Sequence, residues 1–290
     1  MSEIVRSCPL YGGENSHHFD QRKFRRQKVI NPICQGCGLV YQSPRLTEEE
    51  TTAFYQAEYR QMYQGEEAPI ARDFSTQTAR AVSQVDFIRP IIPAVSRHLD
   101  IGCSLGILLK QVQAGYHSQA TGVEPGEAHR MYARKEGLLV YPSLEDLEKA
   151  GEARFDLISL SHVLEHLPDP VGYLARLPGN VLVPEGWLLL EVPNLYSHDS
   201  FEVAHLCAFS PHTLREVIFR SGFEMVKFEK HGRPNSAILP LYLTVLCRPA
   251  SQPNPRPVLP ERGVVIKRQA GMLKRRILEH LVPSQAWLRM

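Results

Sequence analysis

The chain has 290 residues, 43% of them hydrophobic and 22% charged, with a formal net charge of +2 at pH 7. That length buries a full core and allows one large domain with small attachments, while so slight a basic excess argues against nucleic acid as a partner, since phosphate binding concentrates many cations on one face. The opening MSEIVRSC lacks the apolar core of a secretion signal and no run of about 18 apolar residues spans a bilayer, so the sequence predicts a cytoplasmic protein without an integral membrane segment.

Residues 1–46 surround short apolar pieces with glycine, cysteine, arginine and histidine, the composition of a small ribbon that cannot bury a core unaided. In a cytoplasmic setting its cysteines are thiols or metal ligands rather than disulfides. Cys34 and Cys37, in CQGCG, form a good half-site for zinc, two thiolates on one glycine turn. The facing knuckle, CPLYGG, supplies Cys8 as a third ligand but has Tyr11 where a second cysteine belongs, and His17 or His18 are the nearest candidates for a fourth. Structural zinc and a metal-free ribbon held by packing both stay open, whereas redox chemistry lacks a surrounding thioredoxin-like unit.

Thr47 and Glu50 spell a capping box that opens a helix with acids in its first turn, and a second helix ends near Pro90, so 47–94 is a helical linker. From 95 to 248 the pattern changes. RHLDIG, QATGVEP, LLVYP, FDLISLS, GWLLLEVPN, FEMVKFEK and SAILPLYLTVLCRP read as strands separated mostly by helical segments, which predicts an α/β fold with a doubly wound, Rossmann-like parallel sheet. Residues 249–290 hold a proline-rich linker and a helix over 264–282 with a basic face, which docks on the protein or a partner, or lies on an anionic membrane.

The chemistry concentrates in LDIGCSLGILL, Leu99 to Leu109. A strand ends in Asp100, then Gly102 and Gly106 let the backbone turn sharply ahead of a helix whose first N–H groups favour a negative group. A dinucleotide fingerprint fits poorly, because Ser104 and Ile107 occupy its second and third glycine positions. A pyrophosphate would also be repelled by Asp100, whereas S-adenosylmethionine brings an ammonium and a sulfonium for the acid and a carboxylate for the N–H groups. The next strand ends in GVEP, placing Glu124 where a carboxylate accepts hydrogen bonds from ribose hydroxyls. Singly, Asp100 reads as a helix cap and Glu124 as a surface acid; together they define one crevice.

On these residues the sequence resembles the class I S-adenosylmethionine-dependent methyltransferases. DIGCSLG is similar to the family's D-x-G-x-G-x-G motif with Ser104 at its middle glycine, GVEP to its ribose-binding acid, and FDLISLSHVLEHLPDP to the fourth-strand segment of a bacterial subgroup. The resemblance implies S-adenosylmethionine as cofactor, held by Asp100, Gly102, Cys103, Gly106, Glu124, Ser161 and His162, and a small-molecule acceptor. His162 then either removes the acceptor's proton or contacts the methionine part of the cofactor. Glu165 and His166 are expected on the first turn of the following helix, capping or facing it.

The loop PNLYSHDSFEVAHLCAFS is long enough to cover a substrate. It is similar to the sugar C-methyltransferase branch, in which a Glu-His pair before an aromatic-Ser element abstracts a proton. His205 and Phe209-Ser210 match, but Ala204 stands at the glutamate's place and Glu202 lies at the wrong spacing, so His205 as a catalytic base is expected to lack a carboxylate. The same subgroup carries an N-terminal four-cysteine zinc ribbon ahead of a segment like GLVYQSPR. The expected function is methyl transfer to a small biosynthetic metabolite, a nucleotide-linked sugar, with O-methylation of another small molecule and a non-catalytic cofactor-binding scaffold as rivals.

Overall fold

Short strands and tight turns build the N-terminal ribbon: β1 (Ser2–Glu3), β2 (Ser16–Phe24), β3 (Gln27–Cys34), β4 (Val40–Tyr41) and β5 (Arg45–Leu46). The computed structural model describes residues 2–24, 27–47, 50–51, 71–199, 201–251 and 256–288. The capping box forms, with the Thr47 N–H donating to Glu50 Oε2 at 3.0 Å and the Glu50 N–H to Thr47 Oγ1 at 3.2 Å, while the body of the helix expected after it lies outside the described residues. The second linker helix, α1, spans Ala71–Ile88.

The strands of the large domain are β6 (Arg97–Ile101), β7 (Gln119–Val123), β8 (Leu139–Tyr141), β9 (Phe155–Ser161), β10 (Leu182–Pro193), β12 (Phe223–His231) and β13 (Tyr242–Pro249), with β11 (Cys207–Ala208) between them in sequence. The seven form one sheet in the order β12-β13-β10-β9-β6-β7-β8, in which only β13 runs antiparallel to its neighbours. Because β6 has β7 on one side and β9 on the other, the chain leaves it in opposite directions, and the crevice opens at the carboxyl ends of these strands. Between them lie α2 (Ile107–Tyr116), α3 (Glu127–Lys135), α4 (Leu144–Lys149), α5 (Pro170–Ala175), α6 (Leu177–Asn180) and α7 (Pro211–Arg220).

Successive residues of the central strands serve opposite faces, as the strand period requires. Leu157 and Leu189 join Val85, Ile88 and Val112 of α1 and α2, whereas Ile158, Leu188 and Leu190 join Leu174, Leu214 and Val217 of α5 and α7. Each such leucine, fully buried, contributes about 1.5–3 kcal/mol. That two-sided burial explains why FDLISLS and LLLEV read as nearly continuous apolar runs.

One expectation changes. The segment Ser236–Leu241 is not strand: Ser236 Oγ accepts from the N–H groups of Ile238 and Leu239, folding a tight turn, and β13 begins at Tyr242. The ribbon gains a strand from elsewhere in the chain: β11, from the long loop after β10, pairs with β4 and completes a sheet in the order β11-β4-β3-β2. An edge as short as β4 would otherwise leave its backbone groups unpaired.

The C-terminal helix α8 (Val264–Leu281) is followed by α9 (Pro283–Ala286). α8 packs on the protein through polar groups: buried Arg268 donates to the carbonyls of Leu195 and His198, and to Asp199 Oδ1 at 3.1 Å. Arg275 reaches the Ser197 carbonyl at 3.1 Å, and the backbone of Gly271 lies so close to Tyr196 that a Cβ would strike its carbonyl. The helix therefore braces the loop that follows β10. No helix among the described residues is long and apolar enough to cross a membrane.

Candidate active site

β6 delivers Asp100 to the crevice and the chain then turns through Gly102, at φ 77°. A Cβ on Gly102 would collide with Val163 and one on Gly106, at φ 74°, with Leu138, so only glycine fits either position. The N–H groups of Gly102 and Cys103 both donate to the Val123 carbonyl, at 2.8 and 3.0 Å, tying the turn to the end of β7. Cys103 packs its sulfur against Gly122, so what it offers the crevice is its main chain. Ser104 also takes a left-handed backbone, φ 51°, which is why glycine suits the motif there. Its hydroxyl offsets the strain by meeting His129 Nδ1 at 2.9 Å and accepting from Gln77 Nε2 at 3.1 Å.

Both oxygens of Glu124 are anchored by the main chain, one accepting from the Ser104 N–H and the other from the Gly126 N–H, each at 2.8 Å. Carboxylate oxygens so oriented can accept from ribose hydroxyls. Asp100 is buried and accepts from Ser159 Oγ at 2.6 Å; Ser159 in turn meets His98 Nε2 at 2.8 Å. Burial pushes Asp100 up to about 7; the Ser159 hydrogen bond opposes the shift and the nearby Glu124 charge adds to it. Two adjacent buried acids fit a ligand that brings a cation, as the ammonium of S-adenosylmethionine does. Ser161, at the tip of β9, accepts from Gln84 Nε2 at 2.8 Å on the wall of the same cavity, whose volume is about 540 Å³.

Beyond the crevice the cavity continues over groups brought from distant parts of the chain. His162, in a left-handed conformation at φ 56°, sets Nδ1 3.3 Å from Glu165 Oε1 and Nε2 3.4 Å from Glu191 Oε1. Burial and Arg80 oppose its charged form, but the two carboxylates prevail and its pKa is raised. Glu191 also receives Arg80 Nε at 3.1 Å and Thr244 Oγ1 at 2.8 Å, and is held well below the usual carboxylate range despite its burial. The Tyr242 ring stands edge-on to His162, with centroids 5.1 Å apart.

Glu165 and His166 differ from expectation. They lie on a short 3₁₀ turn, Leu164–His166, whereas α5 starts later, at Pro170, capped by Asp169. Glu165 is 1% exposed and His166 lines the cavity. His166 Nδ1 donates to the Ala204 carbonyl at 2.8 Å, since a carbonyl can only accept, which leaves the ring's lone pair on Nε2. Burial, together with His162, lowers its pKa against the pull of Glu165, so it is neutral near pH 7.

His205 does not lack a carboxylate neighbour. Ligand atoms of Glu165, His166 and His205 all lie within 4.8 Å of one another, and the His166 and His205 rings meet edge to face at 4.7 Å. The backbone enforces this, because the Leu206 N–H donates to the Glu165 carbonyl at 2.8 Å and the Gln42 N–H to the Leu206 carbonyl at 2.8 Å. Glu202 offers His205 its main chain, accepting from the His205 N–H at 3.2 Å. Glu165 thus comes within reach of His205 although position 204 is alanine.

In the ribbon, Cys8, Cys34 and Cys37 bring their sulfurs within 4.8 Å of one another, with Cys8 and Cys37 3.6 Å apart. The N–H groups of Tyr11 and Leu39 donate to the Cys8 and Cys37 sulfurs, each at 3.4 Å. Such a set fits a thiophilic ion, since sulfurs about 2.3 Å from a zinc stand a little under 4 Å apart. The Tyr11 ring lies against Gly13 and Gly36, where any side chain would collide with it. His17 and His18 are exposed on β2 and do not join the cluster, so a fourth ligand from either is not provided.

Arg80, Glu191 and Tyr242 were not singled out in the sequence. Glu191 had a signal, a lone acid inside the apolar run LLLEVP, because a charge in a fully buried strand requires partners. Arg80 and Tyr242 had none.

Sheet order, glycine turn and paired acids define a methyltransferase of the S-adenosylmethionine-dependent class. The chain belongs to the methyltransferase-domain family, whose model matches residues 74–227, over half its length. It is 32% identical over 127 residues to a ubiquinone biosynthesis O-methyltransferase of Cereibacter sphaeroides, covering 40% of this chain and 51% of that one. A protein of the same name from Hahella chejuensis is 35% identical over 102 residues, covering 32% and 42%. The chain thus spans about half the length of these curated relatives. In fold it resembles the 1,6-didemethyltoxoflavin-N1-methyltransferase of Burkholderia thailandensis, solved with S-adenosylhomocysteine (TM-score 0.54, 20% identity, 81% of this chain and 99% of that one). It also resembles the plantazolicin methyltransferase in complex with SAH (TM-score 0.51, 11% identity, 69% and 94%).

Proposed function

We propose that this chain transfers a methyl group from S-adenosylmethionine to a small biosynthetic metabolite, a nucleotide-linked sugar, whose proton is taken up by the cluster of Glu165, His166 and His205. The observation that carries this reading is that His166 lines the same cavity as Asp100 and Glu124, with the buried Glu165 and the His205 imidazole clustered against it. When bound, the cofactor supplies an electrophilic methyl group. Asp100 would take its ammonium, Glu124 its ribose hydroxyls, and the main chain of Gly102, Cys103 and Gly106 would lie along it. Ser161 and His162 would border its methionine end. Since both nitrogens of His162 face carboxylates, His166 and His205 are better placed than His162 to receive a proton. Gln77, Gln84, Glu145 and Tyr173 give the cavity the hydrogen-bonding lining that a polyhydroxylated acceptor needs.

O-methylation of another small molecule is the second reading, favoured by the O-methyltransferase names of the relatives. Zinc on Cys8, Cys34 and Cys37, stiffening the ribbon against the loop that carries His205, completes the reading. Calorimetry with S-adenosylmethionine, followed by transfer of labelled methyl to nucleotide sugars and to phenolic acceptors, tests the function. Absence of cofactor binding sinks it, methylated phenols with inert sugars select the second reading, and cofactor binding without transfer to any acceptor leaves a scaffold. Metal analysis of wild type and Cys37→Ser tests the zinc.

A further inference from the structure

We infer that Glu165, His166 and His205 form a site for a divalent transition-metal ion at the wall of the acceptor cavity. Glu165 is buried, and neither carboxylate oxygen receives a hydrogen bond among the described residues; the His162 Nδ1 contact, at 3.3 Å, lacks hydrogen-bond geometry. A carboxylate so placed calls for cationic partners, and the imidazole beside it, His162, is shared with Glu191. Two imidazoles and one carboxylate are the donor set that borderline divalent ions prefer, leaving coordination positions for other ligands. The supporting shell is also that of a ligand set. His166 donates its Nδ1–H to the Ala204 carbonyl at 2.8 Å, which orients the ring. The three donor atoms lie within 4.8 Å of one another, small side-chain rotations from the separation of roughly 3 Å expected around an ion about 2.1 Å from each. Such an ion supplies Lewis acidity beside the methyl acceptor. The inference rests on the proposed function only for that use; binding of the ion is measured without cofactor or acceptor.

Mn²⁺ is the probe, because thiolates bind it poorly and the ribbon will not compete. Titration of chelator-treated protein, followed by electron paramagnetic resonance, is expected to show one bound ion per chain, with affinity lowered at least tenfold in His205→Ala and in Glu165→Gln and unchanged in Cys37→Ser. Near-ultraviolet circular dichroism checks that the variants fold; Glu165→Gln keeps the shape if the alanine variant does not. Absence of Mn²⁺ binding, or equal binding in both site variants, overturns the metal site. If the chelated protein methylates its acceptor at the full rate, the cluster works through protons alone, and the proposed function stands without the metal.

A separate observation concerns α8. Its docked side combines Arg268 and Arg275 against the loop with Val264 and Leu278 in apolar clusters of the body, while the opposite side presents Ile266, Leu273, Ile277 and Leu281, exposed at 72, 58, 47 and 67%. Exposed Lys267 and Lys274 border this strip on one edge and Arg276 on the other. An apolar strip between cations on a helix already fixed by its other face matches the interfacial zone of an anionic bilayer, where the aliphatic groups enter the acyl boundary and the cations meet the headgroups. We propose that this face docks on an anionic membrane surface. The full chain is expected to sediment with phosphatidylglycerol-containing vesicles and at least tenfold less with pure phosphatidylcholine. The paired substitution of Ile266→Asp and Leu273→Asp should abolish the difference. Equal or absent sedimentation with both vesicles overturns the proposal, as does a solution dimer dissolved by the same two substitutions, which would identify a second copy as the occupant.

Discussion

The cofactor crevice and the acceptor wall share one cavity but are built differently. The crevice comes from two consecutive strand ends, with Asp100 and Glu124 held by Ser159 and by the main-chain N–H groups of Ser104 and Gly126. The wall exposes Arg80 from α1 and His162 and His166 from beyond β9, and behind them stand Glu165, Glu191 from β10, His205 from a loop and Tyr242 from β13. A crevice made of neighbouring turns is fixed by local backbone geometry, whereas the wall depends on buried charges finding partners across the whole sheet. Damage should therefore travel further from the wall than from the crevice.

The largest effect is expected at Glu191. Glu191→Ala leaves Arg80 and His162 beside each other without their shared carboxylate, and removing one member of a buried ion pair costs about 3–5 kcal/mol. Urea denaturation measures this, and a loss below about 1 kcal/mol would show that the wall is no more coupled than the crevice.

Glu124→Ala tests the crevice itself. Losing a charged acceptor for two ribose hydroxyls, at roughly 1.5–3 kcal/mol per bond, should weaken S-adenosylmethionine by at least about 10²-fold, as calorimetry would record. A Kd unchanged within experimental error would remove Glu124 from the cofactor's contacts.

A smaller effect, and a signed one, belongs to Asp100. With a pKa near 7 it is largely protonated at pH 6, so binding an ammonium there must release a proton, and affinity should rise about tenfold from pH 6 to pH 8. Without ligand the sign for stability is opposite: the folded protein holds this proton more tightly than the unfolded chain, so stability falls as pH rises from the ordinary aspartate range to about 7. Asp100→Asn should flatten both profiles. A wild-type affinity independent of pH would contradict the pairing of Asp100 with the ammonium.

The smallest change is expected from Ser104→Gly. It relieves a left-handed backbone at φ 51° but loses the contacts with His129 and Gln77, so stability should move by less than about 1 kcal/mol. A larger loss would mean that the hydroxyl, rather than the backbone, organises the turn.

Legibility followed the same division. DIGCSLG and GVEP could be read because glycines at left-handed turns and acids at strand ends are local requirements, and the structure places them together. FDLISLS and LLLEV were legible as strands because burial on both faces writes continuous apolar runs. The end of the chain's strand pattern was overread at SAILPL, where a serine side chain replaces ladder hydrogen bonds with a turn. Glu165 and His166 were misplaced because their spacing suits a helix start, and no local rule announces that a loop some forty residues later will be bonded to the Glu165 carbonyl through Leu206.

By itself, the sequence determined the α/β sheet, the glycine turn, the two acids of the crevice and the three cysteines of the ribbon, since each follows from hydrophobic period or from residue chemistry at short range. Only the tertiary structure decided that the ribbon shares its sheet with the loop after β10, that Glu165 lies within reach of His205, and that α8 leaves Ile266, Leu273, Ile277 and Leu281 exposed. Those outcomes depend on which distant backbone edges pair and which buried charges meet. Neither is set by spacing along the chain, because both are settled by the packing of the whole domain.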